Sequence, residues 1–293
     1  MSNKDFHRIK AVSKLAFPEV TTPIRILQQE GGLTNNNYKV MVDKNLYIYR
    51  IPGPGTNQLI NRFQEKICTE AASALGIDAP LVYFKADTGE KISQFIDNSI
   101  TLQETLIKEP KYMEASARLL RKLHDYKIQI DVKFDVFEKI EDYEKLIRAV
   151  KPDCFWEDYL EMKQLIETLK AEIRNLKVET VLCHNDPLCE NFIVNESRMY
   201  LVDWEYAGTN DPLWDVADVV IEANFSEAQE QQFYNFYFQN EITVLEKRRL
   251  IINKILLDFL WSLWGLQRFT HGIDLYDYAT VRYQRAKANL KLL

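Results

Sequence analysis

The sequence predicts an α+β protein in two parts, a small strand-rich N-terminal lobe over residues 1–97 and a larger, mainly helical lobe over residues 98–293. Three observations point there. Short runs with period-two alternation crowd into residues 21–96, and apolar positions three and four apart take over from residue 101. One polar stretch, Val181 to Tyr206, is framed by short apolar runs. The 293 residues suffice to bury an ample core, whether in one large domain or two of ordinary size.

The N-terminal part begins with an amphipathic helix, Asp5 to Phe17, stopped by Pro18. A strand follows at Thr21 to Gln28, where Ile24 and Ile26 alternate. In GGLTNNNYKV, Gly31 and Gly32 permit a tight turn between strands, and Thr34, Asn35 and Asn36 offer polar contacts to phosphates near the backbone N–H groups. Leu46 to Ile51 reads as a strand carrying Arg50. After the breaker cluster Pro52 to Thr56 comes a helix, Gln58 to Leu75, with Gly76 as its left-handed cap and Glu65 and Glu70 along it. Leu81 to Lys85 and Lys91 to Ile96 read as strands across a turn at Asp87 to Gly89, completing a five-stranded antiparallel sheet.

Helical periodicity opens at Thr101, where Thr101-Leu102-Gln103-Glu104 has capping-box spacing. Lys111 to Tyr126 presents Met113, Ala117, Leu120 and Leu123 on one face and is the expected central helix, with His124 a structural residue at its end. Val136 to Val150 and Trp156 to Leu176 are amphipathic helices with solvated Lys/Glu faces. Val181 to Cys183 is an apolar run leading into a polar cluster, and Phe192 to Val194 with Tyr200 to Val202 reads as a hairpin turning at Asn195 to Arg198. Asp211 and Pro212 suit N-cap and N1 of a helix bearing Asp215, Asp218 and Glu222; Ser226 and Gln229 open another by a capping box.

Composition excludes several classes. A formal charge of −6 and a pI near 5.4 leave no basic face for a nucleic-acid backbone. Cys68, Cys154, Cys183 and Cys189 are too few and scattered for a disulfide framework, and Cys183, His184 and Cys189 lack the CxxC pair and fourth ligand of a zinc site. The first twenty residues contain no signal-peptide apolar core. Ile255 to Leu266, the longest apolar run, is interrupted by Asp258 and too short to span a bilayer, so no membrane insertion is expected. A cytoplasmic protein with reduced thiols is the expectation.

The chemistry concentrates in VLCHNDPLCENFIVNESRMYLVDWEY. Asp186 and, five places on, Asn191 fall on a loop before the predicted hairpin; Asp203, twelve places further, falls at its far end. The hairpin therefore brings the three groups together. Phosphoryl transfer asks a protein mainly to orient the nucleophile and to hold Mg²⁺ against the phosphates with hard oxygen ligands. Asn191 and Asp203 suit the metal, and Asp186 suits the acceptor hydroxyl. HNDP alone is an ordinary turn sequence; the two clusters at this spacing between strands carry the inference.

HNDPLCEN followed by LVDWEY resembles the catalytic and metal segments of the choline/ethanolamine kinases and the related aminoglycoside phosphotransferases, which share the bilobal protein-kinase-like fold. The resemblance covers nearly the whole chain. It implies that the Gly31 to Asn36 hairpin is a lid over the phosphates of ATP. It places Arg50 where protein kinases keep a phosphate-binding lysine, with Glu65 as its partner and Glu70 as the fallback. Gln94, Phe95 and Ile96 become the hinge against the adenine edge, and Asp215 holds the backbone of the catalytic loop. Asp203 is followed by Trp204 and Glu205 where a protein kinase has Phe-Gly, and no Ala-Pro-Glu segment follows, so a protein kinase is disfavoured.

For the acceptor, Trp261 and Trp264 share a helix face with Asp258 one turn earlier. A quaternary ammonium has no N–H to donate and is held by aromatic faces, with carboxylates balancing its charge. Glu205, Tyr206, Glu222, Trp261, Trp264 and Tyr278 match positions that line the choline pocket in the resembled kinases. The expected partner is a small cationic alcohol, choline first and ethanolamine, thiamine or another amino-alcohol after it. An aminoglycoside is disfavoured, since a polycation wants many spread carboxylates. From another class, a nucleotide-binding pseudokinase scaffold stays open, although it usually lacks one of the residues found here.

Overall fold

Five strands form one antiparallel sheet in the N-terminal part of the computed structural model, which describes residues 2–30, 35–53, 55–56, 59–128 and 130–293. They are β1 (Arg25–Glu30), β2 (Asn35–Val42), β3 (Asn45–Pro52), β4 (Leu81–Lys85) and β5 (Glu90–Gln94), in the order β1-β2-β3-β5-β4. Helix α1 (Asn3–Ala16), capped by Ser2, covers one face and packs Ile9 and Val12 against Tyr38, Tyr49, Ile51 and Ile92. Strand side chains alternate, so Arg50, between Tyr49 and Ile51, points the other way, as does Lys91, its register partner on β5. That face meets α2 (Arg62–Ala74). The helix begins at Arg62, later than its apolar pattern suggests, because the Asn61 side chain accepts from the Phe63 and Gln64 N–H groups and fixes the cap there. Gly76 follows at φ +65°, in the expected left-handed turn.

The expected capping box at Thr101 does not form. Thr101 lies in β6 (Ile100–Thr101), which pairs with β8 (Phe192–Val194), so its backbone is committed to a ladder. The short α3 (Glu104–Ile107) starts instead after Gln103 without a side-chain cap. Helix α4 (Pro110–Asp125) buries Met113, Ala117, Leu120 and Leu123 as predicted. Helices α5 (Val136–Val150) and α6 (Tyr159–Leu176) follow, then β7 (Val181–Cys183), the hairpin of β8 and β9 (Met199–Leu201), and β10 (Gly208–Asn210). The hairpin turn is made by Asn195, whose side chain accepts from the Ser197 and Arg198 N–H groups. Strand β10 pairs with β7 and was hidden in the sequence, because Gly-Thr-Asn carries turn residues rather than a strand pattern.

The last four helices are α7 (Pro212–Glu222), α8 (Glu227–Phe238), α9 (Val244–Thr270) and α10 (Tyr276–Asn289). Asp211 caps α7 ahead of Pro212, and the Ser226 and Gln229 capping box opens α8, both as expected. Helix α9 absorbs the apolar run at 255–266 into 27 residues, long and apolar enough by length and composition to cross a membrane. In this fold 83% of its most apolar window is buried inside the protein, as befits a helix packed against α5, α7 and α10. Gly265 lets α10 approach closely: a Cβ there would lie 2.8 Å from the Tyr278 ring.

Candidate active site

The three residues singled out between Val181 and Tyr206 are drawn together by backbone. The Asn191 side-chain amide donates to the Asp186 carbonyl at 2.9 Å, and the Val202 N–H donates to the Asn191 carbonyl at 2.9 Å, setting Asp203 beside them. His184 Nε2 bonds the Val202 carbonyl, also at 2.9 Å. On α7, Asp215 accepts the His184 and Asn185 N–H groups at 2.8 Å each and so holds the loop from below, the role expected of it. His124 is structural as anticipated, held between Asp215 (3.1 Å) and the Tyr237 hydroxyl (2.8 Å). It forms a close buried trio with Asp215 and Cys183, in which Asp215 is already bonded by His124 and two backbone N–H groups. All four cysteines are free and buried.

Asn185, absent from the sequence expectations, ties the loop to β10. Its amide donates to the Tyr206 and Gly208 carbonyls, and its oxygen accepts from Asn210. Asn185 and Asp203 both sit at positive φ, 66° and 69°. Non-glycine residues hold this left-handed conformation where surrounding bonds over-determine it, a frequent feature of functional sites.

Toward the N-terminal sheet lies a dense ionic network. Arg50 and Glu65 form a buried ion pair, as expected, while Glu70 stays on the exposed side of α2 near Lys66. Burial opposes charge on Glu65, but Arg50, Lys91 and Arg62 outweigh it and hold its carboxyl below the usual range. Arg50 also reaches Asp203 at 3.2 Å and donates to the Gly89 carbonyl at 3.1 Å. Arg62, which the sequence reasoning missed, donates to Glu65 (2.6 Å), Glu205 (3.2 Å) and Thr56 (2.9 Å). Its only sequence signal is a position three residues before Glu65 on the same helix. Lys91 and Asp78 were missed too, both buried near Arg50 and Glu65 with no pattern to announce them.

This network corrects one expectation. Glu205, expected at the substrate cation, is bonded to Arg62 and to the Asn35 amide (3.0 Å), so it bridges to the N-terminal sheet. Burial and Asp203 raise its pKa. At the expected hinge, the Gln94 and Phe95 N–H groups donate to the Pro80 and Leu46 carbonyls, so a base edge there would have to meet other backbone groups. Ile96 packs with Ala79, Ile193, Tyr200 and Val202, an apolar patch between sheet and hairpin. Asn36 turns to Asp5 of α1 (3.2 Å). Gly31, Gly32 and Thr34 lie outside the described residues.

On the other side of Asp186 runs a chain of rings. Tyr206 meets Trp261 at 5.1 Å between centroids, Trp261 meets Trp264 at 6.4 Å and Trp264 meets Tyr278 at 5.9 Å, each pair edge-to-face. The predicted aromatic residues are therefore assembled. The predicted carboxylates are not equally available. Asp258 is fully buried and already bonded to Arg282 (3.2 Å) and Arg285 (2.6 Å), so α10 has neutralised it. Glu222 forms an ion pair with Arg282, whose guanidinium also lies 4.9 Å over the Tyr278 ring. Asp186 keeps some exposed surface, but burial and then Glu222, Glu205 and Asp203 push its carboxyl well above the ordinary range.

The site thus offers a carboxylate at Asp186, a cation braced at Arg50, and oxygen donors on Asn191 and Asp203. Asn191 uses its N–H toward the Asp186 carbonyl, which leaves its side-chain oxygen for a ligand, and Asp203 stays partly exposed. Two such oxygens fit Mg²⁺ and other hard cations.

A small antiparallel sheet whose basic residue is braced by the next helix, set over a helical part with an Asp-Asn-Asp loop, defines a kinase-like phosphotransferase. Residues 26–287 match the family model described as choline/ethanolamine kinase, and the chain belongs to that family, whose members transfer phosphoryl groups to an alcohol. Protein LicA of Haemophilus influenzae is 28% identical over 265 residues, covering 87% of this chain and 77% of that protein. The crystal structure of choline kinase LicA from Streptococcus pneumoniae superposes with a TM-score of 0.82 at 32% identity, covering 98% of this chain and 100% of that one. LicA in complex with AMP gives 0.81 at 32% identity, with 96% and 97% coverage. The GDP complex of aminoglycoside 2'-phosphotransferase-IIIa shares the fold, with a TM-score of 0.68 at 14% identity.

Proposed function

We propose that this protein transfers the γ-phosphoryl group of ATP to the hydroxyl of choline. The observation that carries the choice of acceptor is the run of edge-to-face rings from Tyr206 through Trp261 and Trp264 to Tyr278, beginning three residues after Asp203. A quaternary ammonium gains up to about 2 kcal/mol from each desolvated aromatic face. The similarity to two LicA structures, one a choline kinase and one complexed with AMP, supports the same acceptor and an adenine nucleotide.

In this reading Asp186 orients the hydroxyl and accepts its proton. Arg50, braced by Glu65, binds nucleotide phosphates. Asn191 and Asp203 would hold Mg²⁺, which would supply neutralisation of phosphate charge. Arg50 then exchanges its Asp203 contact for phosphate oxygen. Residues 1–97 form the nucleotide lobe and 98–293 the acceptor lobe, and the protein acts in the cytoplasm, where ATP is held.

The test is ATP consumption with choline, ethanolamine, thiamine and an aminoglycoside side by side, with Mg²⁺ present. The highest kcat/KM is expected with choline. Turnover of ethanolamine without choline would displace it, and nucleotide binding without turnover of any alcohol would favour a scaffold.

A further inference from the structure

Asp218 takes no part in the account so far. It lies on α7 one turn after Asp215, which holds the catalytic loop, and one turn before Glu222, which pairs with Arg282. Its side chain has no exposed surface, and among the described residues neither carboxylate oxygen has a hydrogen-bond partner. Both oxygens of a buried carboxylate left bare is a costly arrangement, since burial without compensation disfavours the charged form by several kcal/mol.

The charges around it explain why the position is short of cations. The main groups that act on Asp218 are Glu222, Asp186 and Asp215, all acidic, and Arg282 from α10, the one cation among them; burial and these carboxylates push its carboxyl well above the ordinary range, so its charged form awaits a further cation. Arg282 is divided between Glu222 and Asp258. The same four groups, Arg282, Glu222, Asp186 and Asp218, act electrostatically on the Tyr278 hydroxyl at the end of the ring chain. An excess of buried carboxylate therefore sits beside the aromatic wall and beneath Asp186.

We propose that Asp218 is the unpaired carboxyl group whose charged form the cationic group of the acceptor stabilises, and that it sets the preference for a cationic over a neutral alcohol. This rests on reading the site as one for a cationic alcohol. Asp218 acts through space, as a positioning residue, while the rings make the contact. Asp258, which the sequence suggested for this purpose, cannot serve it because Arg282 and Arg285 already neutralise it.

The experiment compares choline with 3,3-dimethyl-1-butanol, a neutral carbon isostere, as acceptors for the full-length enzyme and for Asp218→Asn, with MgATP saturating. The wild type is expected to favour choline in kcat/KM. In Asp218→Asn the KM for choline should rise roughly tenfold, the scale of one ion pair at about 10 Å in a protein interior. The constants for the neutral alcohol, and nucleotide binding, should stay within about twofold. A variant that keeps the wild-type preference, or that loses both alcohols equally, overturns the proposal. If Asp218→Asn does not fold, Asp218→Ser is measured in the same way. Wild-type enzyme that uses both alcohols equally would overturn the cationic-alcohol reading itself, whereas a wild-type preference that survives in the variant overturns only the role of Asp218.

Discussion

The two sides of the cleft handle charge in opposite ways. Toward the N-terminal sheet, Arg50 is answered by Glu65 and Asp203, and Arg62 by Glu65 and Glu205, in bonds that fix each group before a ligand arrives. Toward α7, Asp186, Asp218 and Glu222 share Arg282, which Asp258 also claims. A side that must present cations to a polyanion needs buried carboxylates to hold those cations in place. If the acceptor is the cationic alcohol proposed above, the second side does better with carboxylates left unanswered, because the ligand then supplies the missing charge. Pairing preorganises the first side, and the lack of pairing readies the second.

The largest test of this contrast is Asp186→Asn. A general base contributes about 10²–10⁴-fold, so kcat should fall by about that factor while nucleotide affinity, measured by calorimetry, stays unchanged. An equal loss of nucleotide affinity would mean that the two sides are not separable. Next is Arg50→Ala, which leaves Glu65 buried without its main cation. Breaking a buried pair by removing one partner costs about 3–5 kcal/mol, so the denaturant midpoint should drop accordingly. Adding Glu65→Gln should recover part of that loss. A cost below about 1 kcal/mol would show that the pairing on this side is ornamental.

How much was legible in the sequence follows the same division. Asp186, Asn191 and Asp203 stood out because turn residues and the hairpin pattern fix their positions locally, whereas Arg50, Glu65 and Asp215 were assigned through the family resemblance, and the structure makes the contacts expected of them. The fold class was legible for a similar reason: four of the five N-terminal strands and the long helices announce themselves by period, and β2 was implied only as the partner across the Gly31 and Gly32 turn. What escaped were pairings across long stretches of chain. Nothing near Glu205 reveals that Arg62, 143 residues earlier, will take it, and nothing near Asp258 reveals two arginines on the next helix. Asp258 and Trp261 share a helix face, which the sequence showed. Which of them remains free for a ligand is a property of α10. The failed cap at Thr101 has the same origin, a strand partner at Ile193 that local spacing cannot see.

Asp78 is the exception on the well-paired side, and it gives the smallest and most specific test. One of its oxygens accepts the Ala79 N–H at 2.6 Å; the other is buried without a partner among the described residues. Burial, opposed by Lys91 and the Ala79 N–H, pushes its pKa from the usual 3.8 up to about 6. The folded state therefore binds more protons than the unfolded chain between those values, and stability falls as pH rises from about 4 to about 6. Above that window the ionised carboxylate is a burden of about 1–3 kcal/mol. Asp78→Asn should remove this burden, so the variant should match the wild type near pH 4 and exceed it by about that margin near pH 8 in urea unfolding. A variant less stable than wild type at pH 8 would show instead that the buried Lys91 depends on the ionised carboxylate, and Asp78 would then join the paired groups rather than stand apart from them.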